Sequence, residues 1–298
     1  MDKKKLTFTV GIPTYYGGPG LVKTAKSVLA SKGVDKFRFI VNIDGNPLDP
    51  KIEKQLRDLG VEVVFSKQRG GQVARIKQMI SMTKTDIIVL TQDDILFEKD
   101  TLKKVVEAFE KNTDITMVSA RLLPIPAKIL FERIIETGVH LTHRVGDAWK
   151  GGDNYLLSSG RLLAFRSEFV KKLDIPEEVI NSDAYLYFEN NIKGGKFLAL
   201  RDAVVYNKSP QTLKEHLKQS RKFQYSFEEL GHFLKSNLES EYTVPRQVSA
   251  IAYLQEFIHK PFYTFAFMLV YLYTRVAGRG MYSNAKRFWD TDVTTKKI

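Results

Sequence analysis

The sequence predicts an α/β protein, a doubly wound and mostly parallel sheet with a helical appendage at its C-terminal end. Three observations point there. Short apolar runs alternate with amphipathic stretches over roughly the first hundred residues, the pattern of a sheet covered by helices on both faces. Polar and acidic residues stand at the ends of those runs: Thr14, Asp44, and Asp93 with Asp94. Beyond residue 235 the composition shifts toward an aromatic, charge-free stretch at 261–274. The expected division is 1–235 for the α/β domain and 236–298 for the helical segment.

Each element has its own local reason. "LTFTVGIP" (6–13) reads as the first strand. "LVKTAKSVLASKG" places Leu21, Val22, Ala25, Val28 and Leu29 on one helical face, with Gly33 as a stop. "FRFIVNID" (37–44) is the second strand. "DPKIEKQLRDLG" is a helix with Asp49 as its cap, and "VEVVF" (61–65) is a third strand. "GGQVARIKQMISM" is a helix opened by Gly70 and Gly71, and 86–91 is a fourth strand. A helix opened by Asp100 follows. From about residue 115 the alternation weakens. "ITMVSARLLP" and "SSGRLLAFR" read as further strands, Asp183 falls near a helix start, and a long polar helix follows "VVYN".

Composition bounds the function. The chain has 298 residues, 43% of them hydrophobic, enough for a real core. It has no cysteine, which excludes disulfides, thiol catalysis and Cys-based zinc sites and fits a reducing compartment. The basic start "MDKKKLTFTV" runs straight into a strand, so no cleaved targeting segment is expected. A formal net charge of +12 suits either a polyanionic partner or a soluble Lys-rich surface. Zinc-finger spacing and RNA-recognition aromatics are missing from the sequence, so no nucleic-acid partner is expected.

The chemistry concentrates at the strand ends, where ligands of such sheets bind. Adjacent carboxylates repel unless a cation lies between them. Asp93 and Asp94 therefore read either as ligands of Mg²⁺ or Mn²⁺ carried with phosphate oxygens, or as a turn cap. Asp44, in an Asp-Gly turn, is a turn residue or an acceptor for a nucleoside N–H or hydroxyl. Pro13 and Thr14 lie in a loop open to a nucleotide. Gly71 and Arg75 stand at a helix start where backbone donors and a cation can meet phosphate. Asp183 is a base or a first-turn acid. Gln219, Arg221 and Lys222 form a basic cluster or a solvated helix face.

The order of these features resembles inverting family-2 glycosyltransferases with the GT-A fold. The resemblance rests on "PTYY", the "DG" turn, the Asp pair, "SD" opening a helix, and "QSRKF", and it covers most of residues 6 to 223. It is nearest to the membrane-associated branch with polysaccharide synthases and lipid-linked sugar transferases. It implies a nucleotide-diphosphate sugar as donor and a lipid-linked or polysaccharide hydroxyl as acceptor. It implies Asp183 as general base, and Asp44 with Pro13 and Thr14 at the nucleoside. Gln219 and Lys222 fall on the branch's Gln-x-x-Arg-Trp element, with Phe223 in the Trp place and Arg221 one residue early. The family's Asp-x-Asp falls on Thr91, Gln92 and Asp93, so the first carboxylate is absent, as is the acid usually preceding the base, replaced by Ser182. Gly160 falls in the acceptor-side segment; Trp149 is either beside it or simply packed.

The stretch 261–274 is shorter than the about 20 apolar residues of a membrane span. Its aromatics between Lys260 and Arg275 suit a headgroup boundary, an anionic membrane surface on the cytoplasmic side. The alternative is a helix packed on the domain or on a second copy of the chain. Every motif lies before residue 224, so the nucleotide site is expected to stay folded when the chain is cut before Pro261. Three rival readings remain: a soluble cytoplasmic transferase acting on a small or protein acceptor, a nucleotidyltransferase making the sugar nucleotide, and a non-catalytic binding module.

Overall fold

The computed structural model describes residues 5–234, 238–277, 295, 296 and 298, apart from the side chains of Lys222 and Ser240. Eight strands build one sheet: β1 (Phe8–Thr14), β2 (Arg38–Asp44), β3 (Glu62–Ser66), β4 (Ile87–Thr91), β5 (Ile95–Phe97), β6 (Ile115–Pro124), β7 (Leu162–Arg166) and β8 (Lys196–Asn207). Their order is β3-β2-β1-β4-β7-β6-β8-β5. The first four strands run parallel, and β8 runs parallel to β6. β7 runs against both β4 and β6, and β5 runs against β8.

Helices cover both faces. β4 shows the period of two: Ile87 and Val89 point to one core, Ile88 and Leu90 to the other. The first core receives Leu21 and Val28 of α1 (Pro19–Leu29), Leu56 of α2 (Pro50–Asp58), and Leu102 and Phe109 of α4 (Thr101–Lys111). The second receives Met79 of α3 (Gln72–Met82), Leu186 and Phe188 of α7 (Ser182–Ile192), and Leu230 of α8 (Leu213–Leu234). The one-turn helices α6 (Ser167–Val170) and α9 (Glu239–Tyr242) lie in connections. The doubly wound α/β architecture expected from the sequence is the one observed. Asp49 caps α2 by accepting from Lys51 N at 2.7 Å, while α1 ends at Leu29, before Gly33.

The three-residue β5 and the 19-residue α5 (Leu130–Ala148) went unread, as did the short helical turns such as α6. α5 is the platform for the C-terminal helices α10 (Arg246–His259) and α11 (Pro261–Ala277). Arg144 Nε meets Glu256 Oε2 at 2.8 Å. The Phe267 ring lies so close to Gly138 that a Cβ there would meet it at 2.3 Å. Gln224 Nε2 of α8 donates to Thr274 O at 3.1 Å. The opposite face of the pair is apolar and open, with Leu254, Ile258, Phe262, Phe265, Leu269, Leu272 and Val276 exposed. Among the described residues, no helix is long and apolar enough to cross a membrane.

Strand direction decides what gathers at the functional edge. β1, β2 and β4 end there with Thr14, Asp44 and Thr91. β7 runs the other way, so it begins at this edge: Thr91 pairs with Leu162, which brings Gly160 and Arg161 beside the Asp pair. β8 ends there too, and the pairing of Ile95 with Asn207 sets Asn207 next to Asp94.

Candidate active site

A cavity of about 160 Å³ opens at this edge, lined among others by Pro13, Tyr15, Gln72, Asp93, Asp94, Arg161, Asp183, Gln219 and Lys296. A larger one, about 670 Å³, adjoins it and shares Arg161, Asn181, Asp183, Asn207, Gln219 and Phe223. Asp183 thus stands on the boundary between the two.

The Asp pair is buried and organised around a positive charge. Thr14 Oγ1 donates to Asp93 Oδ2 at 2.5 Å, and Gly17 N donates to Thr14 Oγ1 at 3.0 Å. Asp93 Oδ1 accepts from the Lys296 ammonium, which also stands 3.0 Å from Asp94 Oδ2. Asp94 Oδ1 is buried with no hydrogen-bond partner. Burial pushes the Asp94 carboxyl above its ordinary range; Lys296 opposes that, and the Asp93 charge adds to it. Burial alone would lower the Lys296 value, but the two carboxylates outweigh it and hold the ammonium charged.

Two carboxylates bridged by one cation, with an unpartnered oxygen beside them, fit a divalent ion of the Mg²⁺ or Mn²⁺ kind. Such ions take oxygen ligands and use few protein carboxylates when phosphate supplies the rest. Among the described residues no group of three His, Cys, Asp or Glu assembles here or elsewhere, so this chain offers a cation two carboxylates. Thr91, in the place of the family's first Asp, points away from this task. Its Oγ1 donates to Arg161 O at 2.5 Å and ties the end of β4 to the start of β7. The carboxylate that stands beside Asp93 at the Lys296 ammonium is that of Asp94.

Asp44 is wholly buried. Its two oxygens accept from Gly70 N at 2.8 Å and Gly71 N at 2.9 Å, and Arg75 Nε lies 3.2 Å away. Gly71 makes this possible with φ 88°, a left-handed conformation that a side chain resists. Asp44, Gly71 and Arg75 therefore form one anchored turn that delivers Gln72 to the cavity, and none of the three lines it. The sequence put Asp44 at a nucleoside; in the structure both of its oxygens hold the Gly70–Gly71 turn.

Asp183 sits in the first turn of α7, partly open to both cavities. α8 fixes this turn from behind. Glu229 accepts from Ile180 N at 2.6 Å and Asn181 N at 3.0 Å, and Asn181 Nδ2 donates to Ser226 Oγ at 2.7 Å. Burial raises the Glu229 value against those two N–H bonds. Gly160 lies against Asp183, and a Cβ there would fall 2.1 Å from Oδ1.

The sequence and the fold are both similar to those of known proteins. Residues 9–136 match Glycosyl transferase family 2. The fold matches that of the mannosyltransferase PcManGT from Pyrobaculum calidifontis, in complex with GDP-Man and Mn²⁺, with a TM-score of 0.61 at 15% identity, covering 94% of this chain and 78% of that one. Glucosyl-3-phosphoglycerate synthase from Mycobacterium tuberculosis, with Mn²⁺, UDP and glucosyl-3-phosphoglycerate, gives 0.54 at 16% identity over 76% and 79%. TarS of S. aureus gives 0.53 at 14% identity over 92% of this chain and 53% of that one. No curated protein matches the sequence.

Of the residues singled out from the sequence, Pro13, Asp93, Asp94, Asp183 and Gln219 line the smaller cavity, with Thr14 and Gly160 directly behind them. Trp149 takes the packed alternative. It is buried, edge-on to Tyr155 at 5.9 Å, and the cavity wall is Tyr155. Arg221 lines neither cavity, and its Nε is buried with no hydrogen-bond partner among the described residues. The Lys222 side chain lies outside the described residues. Sequence reasoning missed Arg161, one residue beyond Gly160, and Tyr15, whose ring lies 3.9 Å under the Arg69 guanidinium. It also missed Lys296, which lines the same cavity from the far end of the chain.

Proposed function

We propose that this protein is a metal-dependent, inverting glycosyltransferase that moves a sugar from a nucleotide diphosphate to an acceptor hydroxyl. One observation carries the reading. Two cation-bridged carboxylates and a separately anchored aspartate face each other across one cavity, and a second, larger cavity opens behind that aspartate. The first cavity suits a donor diphosphate and the second an acceptor. The family match over residues 9–136 supports it, as do the complexes of PcManGT with GDP-Man and of glucosyl-3-phosphoglycerate synthase with UDP-Glc.

Asp93 and Asp94 would hold the cation, which when bound supplies positive charge to the departing diphosphate. Tyr15, backed by Arg69, offers a flat face to a base. Arg161, between the Asp pair and Asp183, adds charge where the leaving group grows negative. Asp183 takes the proton of the acceptor hydroxyl as that oxygen attacks the anomeric carbon from the side opposite the diphosphate. A single displacement inverts the configuration. Gly160 leaves the carboxylate the room it occupies, and Glu229 fixes the turn that carries it.

The acceptor we favour is lipid-linked or a growing polysaccharide, presented at an anionic membrane face. The open apolar face of α10 and α11 supports this, since it adjoins the helices that roof the larger cavity. A second reading, a small anionic acceptor for a soluble enzyme, is favoured by Arg121, Arg201 and Arg275 in the cavity wall. The phosphoglyceric acid bound together with UDP-Glc in the M. tuberculosis neighbour points the same way. Asp183→Asn decides the catalytic part. It should leave donor affinity intact and lower transfer by about a hundred- to ten-thousandfold. Near-normal turnover would remove Asp183 from the mechanism.

A further inference from the structure

The position that a divalent cation would take on Asp93 and Asp94 is filled by the chain itself. Lys296 stands two hundred residues downstream of the pair, yet its ammonium bridges both carboxylates and its side chain is only 19% exposed. The segment around it is seated. Thr295 lines the same cavity. The backbone crosses the N-terminal turn of α1 so closely that a Cβ on Gly20 would meet Lys296 O at 2.5 Å and Ile298 Cγ1 at 3.4 Å. Ile298 O accepts from Lys23 Nζ. Three contacts therefore clamp the tail over the end of β1 and the Asp pair.

We propose that Lys296 is a gate on the cation site. Its ammonium substitutes for the metal before the donor arrives, and a divalent ion with its nucleotide binds only after Lys296 leaves the pair. The inference rests on the reading of Asp93 and Asp94 as metal ligands. The physical argument is one of charge and space. Two adjacent carboxylates buried together require a counter-cation. One ammonium satisfies that requirement without ligand, but it touches the same oxygens that a metal needs, and its segment occupies part of the diphosphate cavity. Lysine and metal therefore exclude each other. The Asp pair stays ordered without metal, and binding is linked to release of the tail.

Exclusion has a measurable size. If the tail is closed nine-tenths of the time, the apparent dissociation constant for the cation rises about tenfold. The probe is Mn²⁺ alone, its free fraction read by electron paramagnetic resonance in titrations of the full chain. Lys296→Met should tighten Mn²⁺ binding about tenfold. Lys23→Met, which removes the Ile298 anchor and touches neither aspartate, should tighten it in the same direction, and Lys296→Arg should keep the weak affinity of the parent. In the parent, Mn²⁺ with UDP or GDP should speed digestion of the C-terminal residues by carboxypeptidase. Unchanged or weaker Mn²⁺ binding by Lys296→Met overturns the gate, as does a tail protected by Mn²⁺. A permanent counter-ion would give those results. Asp93→Asn in the Lys296→Met background separates the two claims. If Mn²⁺ binding depends on Asp93 but not on Lys296, the gate alone is wrong. If it depends on neither, the metal site and the gate both fall.

Discussion

Adding one methyl group at Gly160 reads out the geometry of the proposed base without touching the base itself. In Gly160→Ala, the new Cβ would lie 2.1 Å from Asp183 Oδ1 and 2.5 Å from both Cγ and Oδ2, where ordinary contact starts near 3.4 Å. The carboxylate therefore has to swing away by about 1 Å or more, which is the scale at which a misplaced reacting group costs about a hundredfold in rate. Gly160 does not occupy a left-handed conformation, so alanine adds no backbone strain. Asp183 lies at the accessible end of a short side chain, so the overpacking should cost no more than about 1–3 kcal/mol in stability. The assay is steady-state transfer alongside calorimetric donor titration. The expected result is a kcat lower by about a hundredfold with unchanged donor affinity. A kcat within about twofold of the parent would refute the placement of Asp183 at the reacting hydroxyl. A matching loss of donor affinity would mean that the carboxylate serves the donor instead.

Three further outcomes follow from other contacts. Asp44→Asn leaves a half-buried Arg75 without its charge partner and sets an amide N–H against a glycine N–H at a fully buried position, so urea unfolding should show a loss of about 3 kcal/mol; a loss below about 1 kcal/mol would show that the turn is held otherwise. His143 is pushed down to about 4, by burial first and by Arg121 next, against the pull of Asp147. Because its folded value lies below the ordinary 6.5, the unfolded chain binds the proton first, and stability should fall as pH drops from about 6.5 towards 4. His143→Asn should flatten part of that loss in unfolding curves at pH 7 and 4.5, the remainder belonging to His140 and His216, which burial also lowers; an unchanged slope would contradict the assignment. Exposed Leu269 and Leu272, replaced by Gln, should cut sedimentation with anionic vesicles, and a parent chain that ignores such vesicles at low salt would end the membrane reading.

The first half of the sheet was legible because parallel strands covered on both faces read as continuous apolar runs bounded by turn residues. β1 to β4 each fall within a residue or two of the expected limits. The Asp pair was legible for the same reason, since charge at the end of such a run has to be explained. α5 was not, because Thr137, Gly138, His140 and Gly146 dilute its apolar face, and that face is completed only by α10 and α11. Asp44 shows a different limit. Its position was clear from the Asp-Gly turn, but the direction of its carboxylate depends on Gly70 and Gly71, twenty-six and twenty-seven residues away. Lys296 is the extreme case: it belongs to no local pattern, and only the folded chain brings it to Asp93.

The central claim is that Asp93 and Asp94 hold a divalent cation against a nucleotide diphosphate. Calorimetric titration of UDP-, GDP- and dTDP-sugars into the full chain, with Mn²⁺ and then with EDTA, tests it most directly when repeated on Asp93→Asn. The account predicts that at least one donor binds the parent with Mn²⁺, and that this binding is lost both with EDTA and in Asp93→Asn. A donor that binds equally well in all three conditions, or a parent that binds none of them, would contradict it.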